Sequence, residues 1–144
     1  MDVNGVAAIV TGGASGLGGS TAEALARAGA RVAIIDMNAE TGRAQAAAID
    51  GLFLPADVTD EWAVAAALAM AEGRHGVARV LINCAGVAPT IRVVNRDGAA
   101  HPLAAFRRAI EVNLVGSFNV MAQFAARLVT AEPIGEERGV IINT

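Results

Sequence analysis

The sequence predicts an α/β protein whose strands form a doubly wound parallel sheet, in the order 3-2-1-4-5 for the part present. Short apolar runs recur along the 144-residue chain, and the first of them, residues 6–11, is rich in β-branched and small residues, as expected of a parallel strand that is buried on both faces. Each of the first four runs is followed by a longer segment with helical periodicity, so strands and helices alternate as in βαβ units. Right-handed crossovers between such units give the predicted strand order.

The individual elements follow from this alternation and from its turn residues. Strands are expected at residues 6–11, 31–35, 52–56, 79–83 and 139–143. Helices are expected at residues 16–28, 39–49, 60–74 and 103–129, and a longer polar loop occupies residues 87–102. Gly29 suits the residue that ends the first helix, and Thr59 is expected to cap the third.

A glycine-rich turn is expected where the first strand becomes the first helix, in the segment Thr11-Gly12-Gly13-Ala14-Ser15-Gly16-Leu17-Gly18. Glycines let backbone N–H groups approach a phosphate, and the helix N-terminus adds partial positive charge. The spacing of Gly12, Gly16 and Gly18 differs from the common G-x-G-x-x-G, and a glycine cluster alone is also explained by a tight turn. Its place in the first βα turn favours a nucleotide site.

The P-loop of an ATPase is the close alternative. Gly13 and Gly18 have its glycine spacing, and Ser20 stands where its hydroxyl residue belongs. The required lysine position is Gly19, however, and all 11 basic residues of the chain are arginines. A dinucleotide is therefore the better ligand for this turn.

Carboxylates follow the second and third strands. Asp36 comes 24 residues after Gly12, where a carboxylate can hydrogen-bond ribose hydroxyls and repel a 2′-phosphate. The next residue, Met37, is not an arginine that would accept this phosphate, so NAD is predicted over NADP. Asp57 could accept a hydrogen bond from an adenine amine, with Val58 packed on the ring. Both aspartates could instead be turn or helix-capping residues.

Two further segments are candidates for the same site. Asn83, Cys84, Ala85 and Gly86 follow the fourth strand, where small residues let backbone and cofactor meet at the topological switch point. A small buried thiol is a better interpretation of Cys84 than a nucleophile, because no histidine lies near it in the sequence.

Asn113 lies on a predicted face of the long helix. The residues of this face recur at spacings of three and four and are expected to point towards the sheet. They are Phe106, Ile110, Asn113, Ser117, Val120, Met121, Phe124 and Leu128. A buried amide needs hydrogen-bond partners. Asn113 is therefore either a structural link between helix and strand or a site residue.

Composition excludes several classes of protein. The net charge of −3 with no basic run argues against a nucleic-acid surface. No window approaches 18 uncharged apolar residues, so no membrane span is expected. The first residues lack the features of a signal peptide, and a single cysteine excludes an internal disulfide, so a cytoplasmic location is the default expectation. No cluster has metal-ligand spacing.

Taken in order, these motifs resemble the short-chain dehydrogenase/reductase family, whose cofactor domain is a Rossmann fold. The likeness covers the whole chain, from the glycine turn through Asp36, Asp57-Val58, residues 83–86 and Asn113 to Ile141-Ile142-Asn143-Thr144. It implies NAD contacts from Ser15, Leu17 and the loop glycines, a ribose contact from Asp36, adenine contacts from Asp57 and Val58, and a place near the ribose for Cys84. Asn113 would match the catalytic asparagine, whose distorted helix holds a water of a proton relay.

The cysteine at position 84, the insert at 87–102 and the stretch 138–144 point to one group within the family. Members of this group oxidise 3-hydroxyacyl-CoA or hydroxysteroids with NAD. The resemblance thus implies a small acyl-CoA or steroid-like substrate. It also implies a homo-dimer or tetramer, to which the long helix would contribute.

The chain departs from the family in one large respect. The family's catalytic Ser and its Tyr-x-x-x-Lys pair follow the segment 142–144, and this sequence contains neither Tyr nor Lys. The last strand, residues 139–143, would also be an uncovered apolar edge. Residues 1–144 are therefore expected to be the NAD-binding half of a longer dehydrogenase and inactive alone. The alternatives are a non-catalytic NAD-binding module, which would act as a sensor or scaffold, and a structural subunit with an unused nucleotide site.

Overall fold

A computed structural model describes residues 2–144 of the chain. Its centre is a parallel sheet in the order β3-β2-β1-β4-β5, which confirms the predicted topology. Each strand lies within one residue of its expected bounds. The elements are β1 (Ala7–Thr11), α1 (Gly16–Arg27), β2 (Arg31–Asp36), α2 (Ala39–Ala48), β3 (Leu52–Pro55), α3 (Glu61–His75), β4 (Val80–Asn83), α4 (Leu103–Ile110), a π-helical segment (Glu111–Gly116), α5 (Ser117–Val129) and β5 (Val140–Asn143).

Helices cover both faces of the sheet, which is why its central strands are continuously apolar. Ile9 of β1 packs on one face together with Leu68 of α3 and Phe124 of α5. The next residue, Val10, points to the opposite face and packs in a second cluster with Ala22 of α1. Because successive side chains of a strand point to opposite faces, one sheet contributes residues to two separate hydrophobic cores.

The cap of α3 differs from the prediction. Asp60, not Thr59, is the N-cap, and its Oδ1 accepts hydrogen bonds from the amides of Trp62 at 2.9 Å and Ala63 at 3.0 Å. Thr59 is engaged elsewhere, because its own amide and hydroxyl both donate to Asp57 Oδ1. The cap moved by one residue because a neighbouring carboxylate competes for the threonine.

The prediction of one continuous helix over residues 103–129 is wrong. The π segment divides it into α4 and α5. A π turn holds more residues than an α turn, and each extra residue rotates the following helix by roughly 100°. The segment therefore changes which residues of α4 lie on the same face as α5.

The face predicted for this helix is correspondingly only half right. Val120, Phe124 and Leu128 are buried against the sheet as expected. Phe106 and Ile110, by contrast, are exposed, and Asn113 is exposed as well. The buried side of the π segment is formed by Val112 and Gly116 instead, so the buried stripe continues at four-residue spacing from 112 to 128.

The segment between β4 and α4 contains a short hairpin. An antiparallel bridge joins Val94 to Ala100, and the Asn95 amide donates to the Ala99 carbonyl at 2.8 Å. At the other end of the chain, β5 is an edge strand in which Val140 and Ile142 are exposed. Within residues 2–144, no helix has the length and apolar character needed to cross a membrane.

Candidate functional site

The strand register brings the predicted site segments to one edge of the sheet. Thr11 is level with Ile35 and Asn83, and Asp36 is level with Pro55. A cleft of about 450 Å³ opens at this edge. All the predicted cofactor-binding residues except Asn83 line it, namely Gly12, Ser15, Gly16, Leu17, Gly18, Asp36, Met37, Asp57, Val58, Cys84, Ala85 and Gly86.

The β1–α1 turn requires glycine for two different reasons. Gly12 has φ +65°, and a Cβ on it would lie 2.7 Å from Ala85 Cα, so a side chain would force the turn away from the segment after β4. Gly16 has φ +56° with open space where its Cβ would be. The turn therefore brings backbone into contact with backbone on one side and leaves its other side accessible to a ligand.

The N-terminus of α1 is suited to an anion. Ser15, its N-cap, is extended, and in the part of the chain that the structure describes neither its side chain nor an acidic residue of the first turn neutralises this end. Leu17, in the same turn, is 78% exposed. Backbone amides and the helix dipole therefore face the cleft without internal compensation, which matches the needs of a pyrophosphate.

Asp36 links the glycine turn to the end of β2. Its Oδ2 accepts from the Ala14 amide at 3.1 Å, and its Oδ1 accepts from the Asn38 amide at 2.9 Å. Because each carboxylate oxygen can accept a second hydrogen bond, both remain able to receive a ribose hydroxyl. The neighbouring Met37 is exposed beside them and offers an apolar surface.

Asp57 is held as a carboxylate by its neighbours. Partial burial alone would raise its pKa. The amide and hydroxyl of Thr59, at 2.9 and 2.8 Å, and the Arg108 guanidinium, at 3.4 Å, outweigh this effect and hold the pKa of Asp57 below its usual value. Asp57 is therefore an ionised acceptor at neutral pH.

Val58 is fixed from the helical side. It is buried, and its carbonyl accepts from Asn119 Nδ2 at 2.8 Å. Gly116 of the π segment lies so close that a Cβ there would be 2.5 Å from Val58 Cγ2. The apolar wall at this end of the cleft thus depends on the absence of a side chain at position 116.

Asn83 lies behind the cleft rather than in its lining. Its side chain is buried, its Oδ1 accepts from the Thr11 hydroxyl at 3.3 Å, and its Nδ2 donates to Asn143 Oδ1 at 2.8 Å. The Thr11 hydroxyl in turn accepts from the amides of Cys84 and Ala85, at 3.2 and 3.1 Å. The network therefore ties β1, β4 and β5 together and fixes the backbone that does line the cleft.

Asn113 is also outside the lining, in the π segment. Its Oδ1 accepts from the Val87 amide at 2.8 Å, and its Nδ2 donates to the Val87 carbonyl at 3.0 Å. Val87 itself lines the cleft. Asn113 thus links the distorted helix to the segment that follows β4, rather than to the strand itself.

The cleft also contains residues that the sequence did not identify, namely Ile35, Ala56, Val87, Arg108 and Val112. The first two directly precede Asp36 and Asp57 and follow from the same strand-end argument. Arg108 and Val112 had no such signal, because the π segment decides which side of α4 faces the cleft. For a metal ion, no group of three or more candidate ligands occurs within residues 2–144.

The chain as a whole is similar to known proteins. The family model for short chain dehydrogenases matches residues 6–144. The 3-hydroxyacyl-CoA dehydrogenase type-2 of Homo sapiens is 45% identical over 146 residues, which cover 99% of this chain and 56% of that protein. The Bos taurus protein of the same name is 44% identical over the same shares.

Solved structures give a similar result. The 3-hydroxyacyl-CoA dehydrogenase type-2 of Mycobacterium avium superposes with a TM-score of 0.85 at 36% identity, covering 95% of this chain and 55% of that one. The chain thus spans about half the length of the relatives it matches. The family model matches most of the chain, and the strand order agrees with it. The chain therefore belongs to the short chain dehydrogenase family.

Proposed function

We propose that this chain is the NAD-binding part of an oxidoreductase that interconverts a secondary alcohol and a ketone. The observation that carries the proposal is the single cleft in which the glycine turn, Asp36 and Asp57 meet. The names of these relatives make 3-hydroxyacyl-CoA the first substrate class to test. Hydroxysteroids are the second class, which the family resemblance of the sequence implies. Because one fold can support many reactions, the residues of the site, and not the fold, support this proposal.

Three features of the cleft fit a dinucleotide. The uncompensated N-terminus of α1 suits the pyrophosphate, and the free lone pairs of Asp36 suit a ribose diol. Asp57 and Val58 offer an acceptor and an apolar surface for adenine. The negative charge of Asp36 and the neutral Met37 beside it favour NAD over NADP, because a 2′-phosphate would meet repulsion without a compensating cation.

The role of this chain is to bind and orient. A nicotinamide cofactor supplies hydride exchange when bound. The glycine turn, Asp36 and the Asp57–Val58 pair would hold its phosphates, ribose and base, and the Asn113–Val87 pairing fixes the segment after β4 beside the cleft. The proton of the substrate hydroxyl needs an acid–base group. The sequence has no Tyr and no Lys, so residues 1–144 offer neither a phenol nor an amine side chain for this step.

A non-catalytic NAD-binding module is the second candidate. The absence of Tyr and Lys from the sequence favours it if residues 1–144 are all that the gene encodes. Such a protein would bind NADH with the same residues and turn nothing over. An enzyme would show both binding and turnover.

The test uses the product of the complete gene, purified from its native source or expressed at full length. We expect an intact mass well above 14.5 kDa, NADH binding by fluorescence, and oxidation of NADH with acetoacetyl-CoA. NADH binding without turnover, at a mass near 14.5 kDa, would establish the second candidate instead. Failure to bind NADH would overturn both.

We also propose that the protein assembles as a homo-dimer or tetramer. Phe106, Ile110, Leu114 and Phe118 form an exposed apolar stripe along α4, the π segment and α5. Leu114 and Phe118 are each offset by two residues from the buried Val112 and Gly116, which places them on the opposite side of the helix. A continuous apolar surface of this kind favours burial against a second copy of the chain.

A further inference from the structure

Arg108 is the sole cationic residue in the lining of the cleft, within the part of the chain that the structure describes. It lies on α4, whereas the other charged residues of the lining lie at the ends of β2 and β3. Its Nη2 contacts Asp57 Oδ2 at 3.4 Å. The guanidinium therefore reaches across from the helical layer to the aspartate at the adenine end of the proposed site.

The two oxygens of Asp57 have different surroundings. Oδ1 accepts from both the amide and the hydroxyl of Thr59, at 2.9 and 2.8 Å, which occupies its two lone-pair positions. Among residues 2–144, the hydrogen-bond partner of Oδ2 is Arg108 alone. An incoming donor group would therefore have to use Oδ2, the oxygen that Arg108 touches.

This pairing contributes little to the fold itself. Half of the Arg108 side chain and about a quarter of the Asp57 side chain are exposed, at 50% and 27%. Ion pairs with such exposure add little to folding stability. An arginine that adds little to stability, yet contacts the one available oxygen of a ligand-facing carboxylate, has a functional reason to lie in the cleft.

We propose that Arg108 is a positioning residue for base recognition, which orients Asp57 Oδ2 to accept the exocyclic amine of adenine. The inference rests on the proposed NAD-binding function and extends it by assigning the selectivity for adenine to an arginine of α4. It makes a specific claim about the ligand. A cofactor whose base carries a carbonyl in place of that amine offers Oδ2 no donor at that position and binds less tightly.

The test compares NADH with deamino-NADH, in which hypoxanthine replaces adenine, by fluorescence titration of the full-length protein. We expect the wild type to prefer NADH. Arg108→Gln should reduce this preference by about two- to fivefold, which is what a solvent-exposed ion pair is worth. Arg108→Lys should restore part of it. Arg107→Gln is the matched control, because the neighbouring arginine lies outside the lining of the cleft.

The ratio of the two affinities separates positioning from other roles. If Arg108 contacted a phosphate or a ribose, both cofactors would weaken equally and the ratio would stay constant, which would overturn the inference. A second readout is the pH dependence of NADH binding. Loss of Arg108 removes one cause of the low Asp57 pKa. As the pH is lowered, NADH binding by Arg108→Gln should therefore begin to weaken at a higher pH than NADH binding by the wild type.

The failure of the proposed function has a different signature. A wild type that binds neither cofactor overturns the proposed function and this inference with it. A wild type that binds NADH and deamino-NADH equally leaves NAD binding intact and overturns only the base recognition. Thermal melting of all variants checks that the fold is retained.

Discussion

Asp36 makes the most direct prediction at the residue scale. Asp36→Asn removes the charge but preserves the shape, and should weaken NADH binding by about tenfold or more, as expected for hydrogen bonds to a charged group. Affinity for NADPH should rise at the same time, because the repulsion of its 2′-phosphate is lost. Fluorescence titration with both cofactors measures the change.

The control for this substitution is Asp50→Asn. Asp50 lies in the turn between α2 and β3, at the opposite edge of the sheet, and its φ of +51° is one that asparagine tolerates. It should leave both affinities unchanged. An unaltered preference between NADH and NADPH in Asp36→Asn would contradict the role of Asp36 as the ribose acceptor.

The lowered pKa of Asp57 predicts how the stability of the fold depends on pH. Its pKa is lower in the folded protein than in the unfolded chain, so its contacts stabilise the fold above the ordinary aspartate pKa and are lost as the pH falls through the lowered value. Wild type should therefore melt at a higher temperature than Asp57→Asn at neutral pH. The difference should shrink as the pH falls below about 4, where the Asp57 carboxyl of the unfolded chain begins to bind a proton that the folded protein binds only at lower pH.

Thermal melting from neutral to acidic pH tests this prediction. Both proteins share the other titrating groups, so the difference between their melting temperatures isolates Asp57. A gap that stays constant over the whole range would show that the carboxylate charge contributes nothing to the fold. In that case the Thr59 and Arg108 contacts would have no electrostatic role.

At the scale of the elements, the π segment is held against the strand ends by Gly116. Gly116→Ala would place a methyl group 2.5 Å from Val58 Cγ2, so the helix or the valine must move. Such overpacking should destabilise the fold by about 1–3 kcal/mol. It should also weaken NADH binding, since Val58 lines the cleft.

Gly73→Ala is the matched control for this change. Gly73 lies in α3 with open space where its Cβ would be, so alanine should raise stability by about 0.5–1 kcal/mol through helix propensity. Chemical denaturation of both variants gives the comparison. Equal effects at the two positions would mean that the close approach of Gly116 to Val58 does not constrain the π segment.

The same segment shows what could and could not be predicted from the sequence. Strand positions were predicted within one residue, because continuous apolar runs between turn residues are a local signal. The π segment has no such local signal in the sequence. It depends on contacts such as Asn113 with Val87 and Gly116 with Val58, which join residues far apart in the chain.

In the candidate site, too, some residues could be predicted from local sequence signals and others could not. Asp36, Asp57 and the residues after β4 could be predicted to lie together, because the carboxyl ends of parallel strands share one edge. The burial of Asn83 could not, since it depends on Thr11 and Asn143 as partners. Arg108 could not be distinguished from Arg107 either, because the phase of α4 is set by the π segment.

At the scale of the whole molecule, the helix from α4 to α5 has two apolar sides. One side packs on the sheet through residues such as Val120 and Phe124. The other presents the exposed stripe defined above, of which Leu114 is 64% and Phe118 62% exposed. A helix that is apolar on opposite sides requires cover on both, and the sheet provides only one.

The assembly prediction follows from this imbalance. Phe118→Glu should convert the full-length protein from a dimer or tetramer to a smaller species, because it places a charge in the middle of the proposed interface. Folding should be little affected, since the side chain is exposed in the single chain. Sedimentation velocity measures the mass, and thermal melting at high protein concentration reports the stability that assembly adds.

Trp62→Glu serves as the control, because Trp62 is 82% exposed but lies at the start of α3, outside the exposed stripe. It should leave the mass unchanged. If Phe118→Glu and wild type sediment alike, the exposed stripe is not the interface. If both sediment as monomers, the exposed stripe does not mediate assembly and the proposed homo-oligomer is wrong.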